Sequence, residues 1–217
     1  MSRFLFPRWS NALLPFALVV GAVAPLYALM FVAYGFSPKT LDGQYQPVQP
    51  VAFSHATHAG KLGMDCRYCH NTVEVASHAA VPPTQTCMNC HTQIHRESPK
   101  LAKVRDSYET GMPIEWIKVH KIADYAYFNH AAHVTRGVSC VECHGRVDTM
   151  EVVHRVAPLS MSWCLECHRD PVARVRPPSE VFNLAKSTTK TWSEEDRRSL
   201  IAQYEIQPSE SCSTCHR

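Results

Sequence analysis

The chain has 217 residues and a mass of 24.4 kDa, with 22 lysines and arginines against 19 acidic residues and a formal charge of +3. That length allows one domain or two small ones, and so small a charge, with no lysine-rich arm, argues against a nucleic-acid binder. Ten cysteines and thirteen histidines are the outlying figures, and they point to metal or cofactor chemistry.

The first predicted element is a membrane helix. From Trp9 to Pro38 a run of 30 residues carries no charge, and about 20 apolar residues suffice to cross the hydrocarbon core. Pro15 and Pro25 are kink sites that membrane helices tolerate. Arg3 and Arg8 precede the run, so the positive-inside rule keeps that end in the cytoplasm and puts the rest of the chain outside it. A cleaved signal peptide would share the small residues Ala22, Ala24 and Ala28, but this apolar run exceeds the core of a usual signal. The expected division is 1–38 for the cytoplasmic end and anchor, and 39–217 for the exported domain.

Within the exported domain, the proline-rich stretch 37–52 reads as a connector. Ser98-Pro99 opens a helix with Leu101, Val104 and Tyr108 on one face, stopping near Gly111-Met112-Pro113. The stretch 171–180 reads as a second extended connector. Ser193-Glu-Glu-Asp196 has the form of a helix N-cap with an acidic first turn, leading into Leu200, Ile201 and Tyr204. The expected fold is mainly α with much irregular coil and little sheet.

Every cysteine falls in one of five C-x-x-C-H motifs: Cys66-Cys69-His70, Cys87-Cys90-His91, Cys140-Cys143-His144, Cys164-Cys167-His168 and Cys212-Cys215-His216. This is the attachment signature of c-type haem. Two thiols a turn apart form thioethers to the two vinyl groups, and the adjacent histidine becomes the proximal iron ligand. The sequence thus predicts five haems c. Zinc is the alternative, since the 17 residues between Cys69 and Cys87 fit a zinc ribbon. A histidine after all five pairs, and an odd number of pairs, favour haem.

Thirteen histidines less the five proximal ones leaves His55, His58, His78, His95, His120, His130, His133 and His154. That surplus suffices to close every sixth position, as suits electron carriers rather than enzymes with an open iron. Phe53-x-His55-x-x-His58 precedes Cys66, and Phe128-x-His130-x-x-His133 precedes Cys140. Each copy is followed by two attachment motifs, so about 53–91 and 128–168 form an internal repeat, with the fifth motif at 212–216. Histidines at i and i+3 share one side of a helical turn and can serve two neighbouring haems. Met161, three residues before Cys164, offers a thioether that would raise one potential. His95 reads as a surface residue. Phe53, Phe128, Trp116 and Trp163 are candidates for packing on haem faces or as ordinary core aromatics. Arg67, Arg169, Arg174 and Arg176 lie near attachment motifs and could pair with propionates.

This arrangement resembles the class III, cytochrome c3/c7-like multihaem proteins. The resemblance implies that His55 closes the haem on Cys66/Cys69 and His130 that on Cys140/Cys143. His58 and His133 would then reach the haems on Cys87/Cys90 and Cys164/Cys167. For the fifth haem His120 is the first choice. His154, favoured by the repeat analogy, and His78 also lie where c7-like proteins place a distal histidine.

With its anchor and five motifs, the chain also resembles the pentahaem cytochrome subunit of alternative complex III. The segments carrying that likeness are Cys87-Met-Asn-Cys90-His91, Trp116 through His133, and Pro158-Leu-Ser-Met161-Ser-Trp163-Cys164. The resemblance implies a bacterial inner-membrane complex with the haem domain on the periplasmic side, passing electrons from quinol to a cytochrome c or other periplasmic carrier. It also implies an iron–sulfur subunit, multi-span quinol-binding subunits and monohaem cytochrome subunits as partners. Nothing here resembles a quinol pocket, so the chain would be a relay without catalysis of its own. The alternatives are an anchored multihaem quinol dehydrogenase feeding a periplasmic reductase, and a multihaem reductase with one open haem.

Overall fold

The computed structural model describes residues 7–36 and 44–216, the side chain of Arg8 excepted. Arg3 and the first part of the 37–52 connector lie outside the described residues. Two compact units divide between Gly43 and Gln44.

In the first unit, a 3-10 turn (Arg8–Ala12) leads into α1 (Leu13–Gly35), which continues through Pro25. No residue of α1 is buried. A helix apolar on every face has no polar stripe to present to water, and by length and composition 9–35 can cross a membrane.

The second unit is built from short helices joined by long irregular segments. In chain order they are α2 (Cys66–Cys69), α3 (Thr84–His91), α4 (Ala102–Thr110), α5 (His130–Val134), α6 (Cys140–His144), α7 (Met161–Arg169), α8 (Thr188–Thr191), α9 (Glu194–Gln203) and α10 (Cys212–Cys215). No strand forms among the described residues, where one isolated bridge joins Val138 and Val175. The fold is mainly helical, as expected.

Two of the predicted helices follow their local chemistry closely. A 3-10 turn starting at Pro99 runs into α4, which buries Val104 and ends at Gly111. α9 carries a full capping box, Ser193 accepting from the Asp196 amide and the Asp196 carboxylate accepting from the Ser193 amide. These reciprocal bonds satisfy amides that have no partner within the helix. The residue α9 buries is Arg197, held by the carbonyls of Thr188 and Trp192.

The stretch 171–180 is not an extended connector. Two 3-10 turns, Pro171–Ala173 and Pro178–Glu180, fold it back, and it contributes Val175 and Arg176, which with Val181 just beyond and Ser139 are the most buried side chains of the domain. Gly137 makes this possible. A Cβ there would meet the Arg176 carbonyl oxygen at 2.1 Å, and its φ of +84° suits glycine. The protein core is otherwise thin. One cluster joins Val51, Met88 and Val104, with Trp116 against it. The other joins Val73, Val134 and Val181, with Phe182 packed on it.

The two repeats are interlocked. In the first, the Ala56 amide donates to the Met150 carbonyl (3.0 Å), and in the second the Ala131 amide donates to the Ala76 carbonyl (3.1 Å). Ala56 and Ala131 occupy the same place in their repeats, each following the first histidine of the pair. Met150 and Ala76 each lie between the two attachment motifs of their own repeat. So each repeat inserts its histidine-bearing turn into the loop of the other. The copies differ by one residue in the spacing from the second histidine to the next cysteine. That extra residue is taken up as a π-helix, Ala56–Lys61, where the second repeat has the ordinary turn α5.

Candidate haem sites

All five Cys-x-x-Cys pairs lie on helical turns: α2, α3, α6, α7 and α10. One turn sets the two thiols on the same side, and the histidine that follows lies in the last two residues of the helix or stands just past it. All ten thiols are free. Among the described residues, no three His, Cys, Asp or Glu side chains converge as a metal cage would require.

The imidazoles show a repeated arrangement. Nδ1 of His70 donates to the Ala80 carbonyl at 2.7 Å, His91 to Ile94 at 2.9 Å, His168 to Ser209 at 2.7 Å and His216 to Tyr125 at 3.1 Å. Among the non-motif histidines, His58 donates to Ser54 at 2.8 Å, His130 to Ser77 at 2.9 Å and His133 to Asn129 at 2.7 Å. A carbonyl can only accept, so the proton sits on Nδ1 and the lone pair is on Nε2, the tautomer that ligates a metal through Nε2.

Three ring pairs bring a motif histidine opposite a histidine of an H-x-x-H turn. His58 and His91 have centroids 6.2 Å apart, His133 and His168 6.1 Å, and His130 and His144 6.3 Å. A metal–imidazole bond of about 2 Å plus about 1 Å from nitrogen to ring centre, taken on both sides, spans about 6 Å. The residues therefore fit an iron held between two imidazoles. The planes cross at 66°, 44° and 13° respectively.

Residues 63–217 match the family described as outer membrane cytochrome MtrC/MtrF-like, domains II/IV. The chain belongs to this family of multihaem c-type cytochromes. It is also 30% identical over 181 residues, 79% of each chain, to the menaquinone reductase multihaem cytochrome c subunit of Nitratidesulfovibrio vulgaris (strain Hildenborough). The cofactor of such a multihaem cytochrome is haem c.

Burial disfavours the charged form of four histidines of the cytochrome, His55, His120, His133 and His144. Burial first, then the neighbouring His120 and His130, pushes His144 down to about 3. Burial also takes His55 and His120 down to about 4 and lowers His133. His55 lies near His70, which adds to its cost of protonation, and its Nδ1 is buried without a partner. Buried thiols are raised, Cys140 to about 11 and Cys143 to about 12, which suits protonated thiols rather than reactive thiolates.

The remaining candidates are placed as follows. His120 stands edge-on to His144 at 4.2 Å and 75°, with a buried, unpartnered Nε2 and with Arg155 and His154 nearby. His154 is half-buried, whereas His78 is exposed and its Nδ1 meets Ser77 Oγ. His95 is exposed in a left-handed backbone conformation. Met161 is an exposed first residue of α7. Around the fifth motif, the Tyr127 amide donates to the Cys215 carbonyl and the Tyr125 ring lies 5.7 Å from His216.

Two sets of residues have protein partners that the sequence did not indicate. Phe53 stacks on His58 at 4.4 Å and meets His55 edge-on at 4.8 Å, and Phe128 does the same to His133 and His130 at 4.4 and 4.8 Å. They hold imidazoles. The four arginines considered for propionates are engaged by protein groups. Arg67 pairs with Asp65 and lies over the Phe182 ring, Arg169 pairs with Glu210, and Arg174 and Arg176 both pair with Glu142. Glu142 stands inside the third attachment motif, so the buried Arg176 braces that helix from behind. Nothing in the sequence marked the carbonyl partners of the imidazoles, because every residue carries a carbonyl.

Proposed function

We propose that the chain is a membrane-anchored pentahaem cytochrome that relays electrons within a quinone-linked respiratory complex of the alternative complex III type. The observation that carries this reading is the set of three imidazole pairs about 6 Å apart with Nδ1 tied to carbonyls. An iron held between two such imidazoles would have no position left open for a substrate. Bound haem c supplies one-electron transfer. The chain would supply the thiols that tether it and the Nε2 atoms on both sides of the iron.

In this reading His70, His91, His144, His168 and His216 are proximal ligands. His55, His58, His130 and His133 are distal ligands for the first four motifs, and His120 remains the candidate for the fifth by family likeness, although its ring stands beside His144 of the third motif. α1 anchors the chain in the inner membrane with the haem domain in the periplasm. An iron–sulfur subunit, multi-span quinol-binding subunits and monohaem cytochromes would be its partners, and the chain itself would not be catalytic. The likeness to a menaquinone reductase subunit supports a quinone-linked role. It also favours a second reading, in which electrons run the other way, from a periplasmic donor to menaquinone.

Purification in gentle detergent tests both. Co-migration with an iron–sulfur subunit and multi-span proteins, plus quinol-dependent reduction of cytochrome c, is the expected result. A complex that instead reduces menaquinone from a periplasmic donor supports the second reading. An isolated chain that oxidises quinol unaided would overturn the relay.

A further inference from the structure

We infer that the haems on the first and third attachment motifs, Cys66/Cys69 and Cys140/Cys143, form a two-electron store, accepting electrons ahead of the haems on the second and fourth motifs. The inference rests on the haem reading above and goes beyond it by ranking the sites.

The ranking comes from what holds each axial imidazole. A carbonyl that accepts the Nδ1 proton makes the ring a stronger donor to iron, which favours the ferric state and lowers the potential. At the second motif both rings are held in this way, His91 by the Ile94 carbonyl and His58 by that of Ser54. Both are held again at the fourth, His168 by Ser209 and His133 by Asn129. At the first motif only one ring is. His70 reaches the Ala80 carbonyl, while His55 Nδ1 is buried without a partner. The third motif is half-held too. His130 donates to the Ser77 carbonyl, but among the described residues no carbonyl bonds His144, whose ring stands edge-to-face with His120. The contrast is sharpest between His55 and His130. They hold the same place in the two repeats and meet their phenylalanines alike, at 4.8 Å and at 86° and 89°, yet only His130 has a carbonyl.

Burial acts in the same direction. It pushes His144 down to about 3 and His55 to about 4, so the surroundings of both rings solvate positive charge poorly. A ferric haem carries one positive charge more than a ferrous one, so the same surroundings favour reduction. The fourth site has one ring lowered by burial, His133, against two carbonyl anchors. The first and third sites are also neighbours. His55 and His70 are close enough to His144 to act on its charge, and Cys66 acts likewise on Cys140. Two electrons are what a quinol gives up on oxidation to quinone. One goes to each ferric haem of the pair, and the two protons leave where quinol is oxidised, outside this chain. The store serves the opposite direction equally, holding two electrons until a quinone takes them together with two protons.

A stepwise reductive titration of the full-length holoprotein, followed by paramagnetic resonance, tests the ranking. The rings of the third site cross at 13° and those of the second at 66°, so their low-spin signals differ, rhombic at the third and strongly anisotropic at the second. The rhombic signal should vanish at the more positive potential. The anisotropic signal should begin to fall only after at least two electrons per chain have entered. A simultaneous or reversed order would overturn the inference. In Cys66→Ala/Cys69→Ala, with loss of one haem checked by mass, one electron fewer should enter before the anisotropic signal falls. An unchanged count would take the first haem out of the store and overturn the pair. If that variant does not mature, the order and electron count of the wild type decide. An oxidised wild type without these low-spin signals would sink the haem reading instead, so the two failures are distinct.

Discussion

His58 and His133 each have a phenylalanine stacked face-on, and the same ring meets the first histidine of the pair edge-on. Such aromatic contacts contribute about 0.5–1.5 kcal/mol beyond burial, enough to hold an imidazole plane against rotation. Steeply crossed axial imidazoles give a strongly anisotropic low-spin paramagnetic resonance signal, and near-parallel ones a rhombic signal, through the geometry of the iron orbitals they meet. The wild type should therefore show an anisotropic component from His58/His91, crossed at 66°, and a rhombic one from His130/His144, at 13°. Phe53→Leu should shift the anisotropic component with haem content intact, and Phe53→Tyr should keep it in place. A spectrum insensitive to Phe53→Leu would mean that the backbone alone fixes the ring. His130→Ala should convert one haem to high spin and leave the rest low-spin, checked by the same spectra. At this scale the five attachment motifs can be read from sequence, because thioether formation and proximal ligation need residues adjacent in the chain. The distal pairings are not written in local sequence and were expected only from family likeness. The carbonyl anchors were invisible, since no residue type specifies them.

Helices with a capping signal were read correctly, and the proline-marked segment 171–180 was not. α4 starts after Ser98-Pro99 and stops at Gly111, and α9 starts at Ser193 with the acidic turn that the sequence shows. Ser193→Ala should loosen the first turn of α9, seen as roughly fivefold faster amide exchange over 194–198, with little change elsewhere. Prolines at 171, 177 and 178 suggested a connector, yet they turn the chain so that Val175, Arg176 and Val181 become its core. Proline fixes φ but does not say whether a segment is exposed. Burial here is decided by distant partners, above all Glu142, which accepts from Arg176 at 3.1 Å, and Thr188. Removing one side of a buried ion pair costs about 3–5 kcal/mol, while replacing both sides costs far less. Arg176→Met alone should lower the denaturation midpoint of the holoprotein sharply. Adding Glu142→Gln should recover much of the loss, since the carboxylate is no longer left buried with one partner fewer.

The interlock of the repeats belongs to the whole second unit, and it explains why neither repeat is a module on its own. Their internal likeness is plain from the F-x-H-x-x-H copies, but the exchange of turns between them rests on backbone bonds that leave no signature in side chains. One residue does carry a trace of it. Gly60 lies in the π-helix with ordinary helical backbone, and a Cβ there would meet the Asp148 carbonyl oxygen at 2.2 Å, in the loop of the other repeat. Taken locally, Gly60→Ala should stabilise the turn by about 1 kcal/mol, because alanine is the better helix former. Taken as part of the interlock, the same change forces two backbones apart and should cost about 1–3 kcal/mol, as overpacking does. The signs are opposite, so a denaturation curve of the full holoprotein decides between them. Loss of stability should come with faster exchange of the Ala56 amide, whose acceptor is the Met150 carbonyl two residues past Asp148. The Ala131 amide should follow it, because the reciprocal bond to Ala76 holds the same pair of repeats together from the other side.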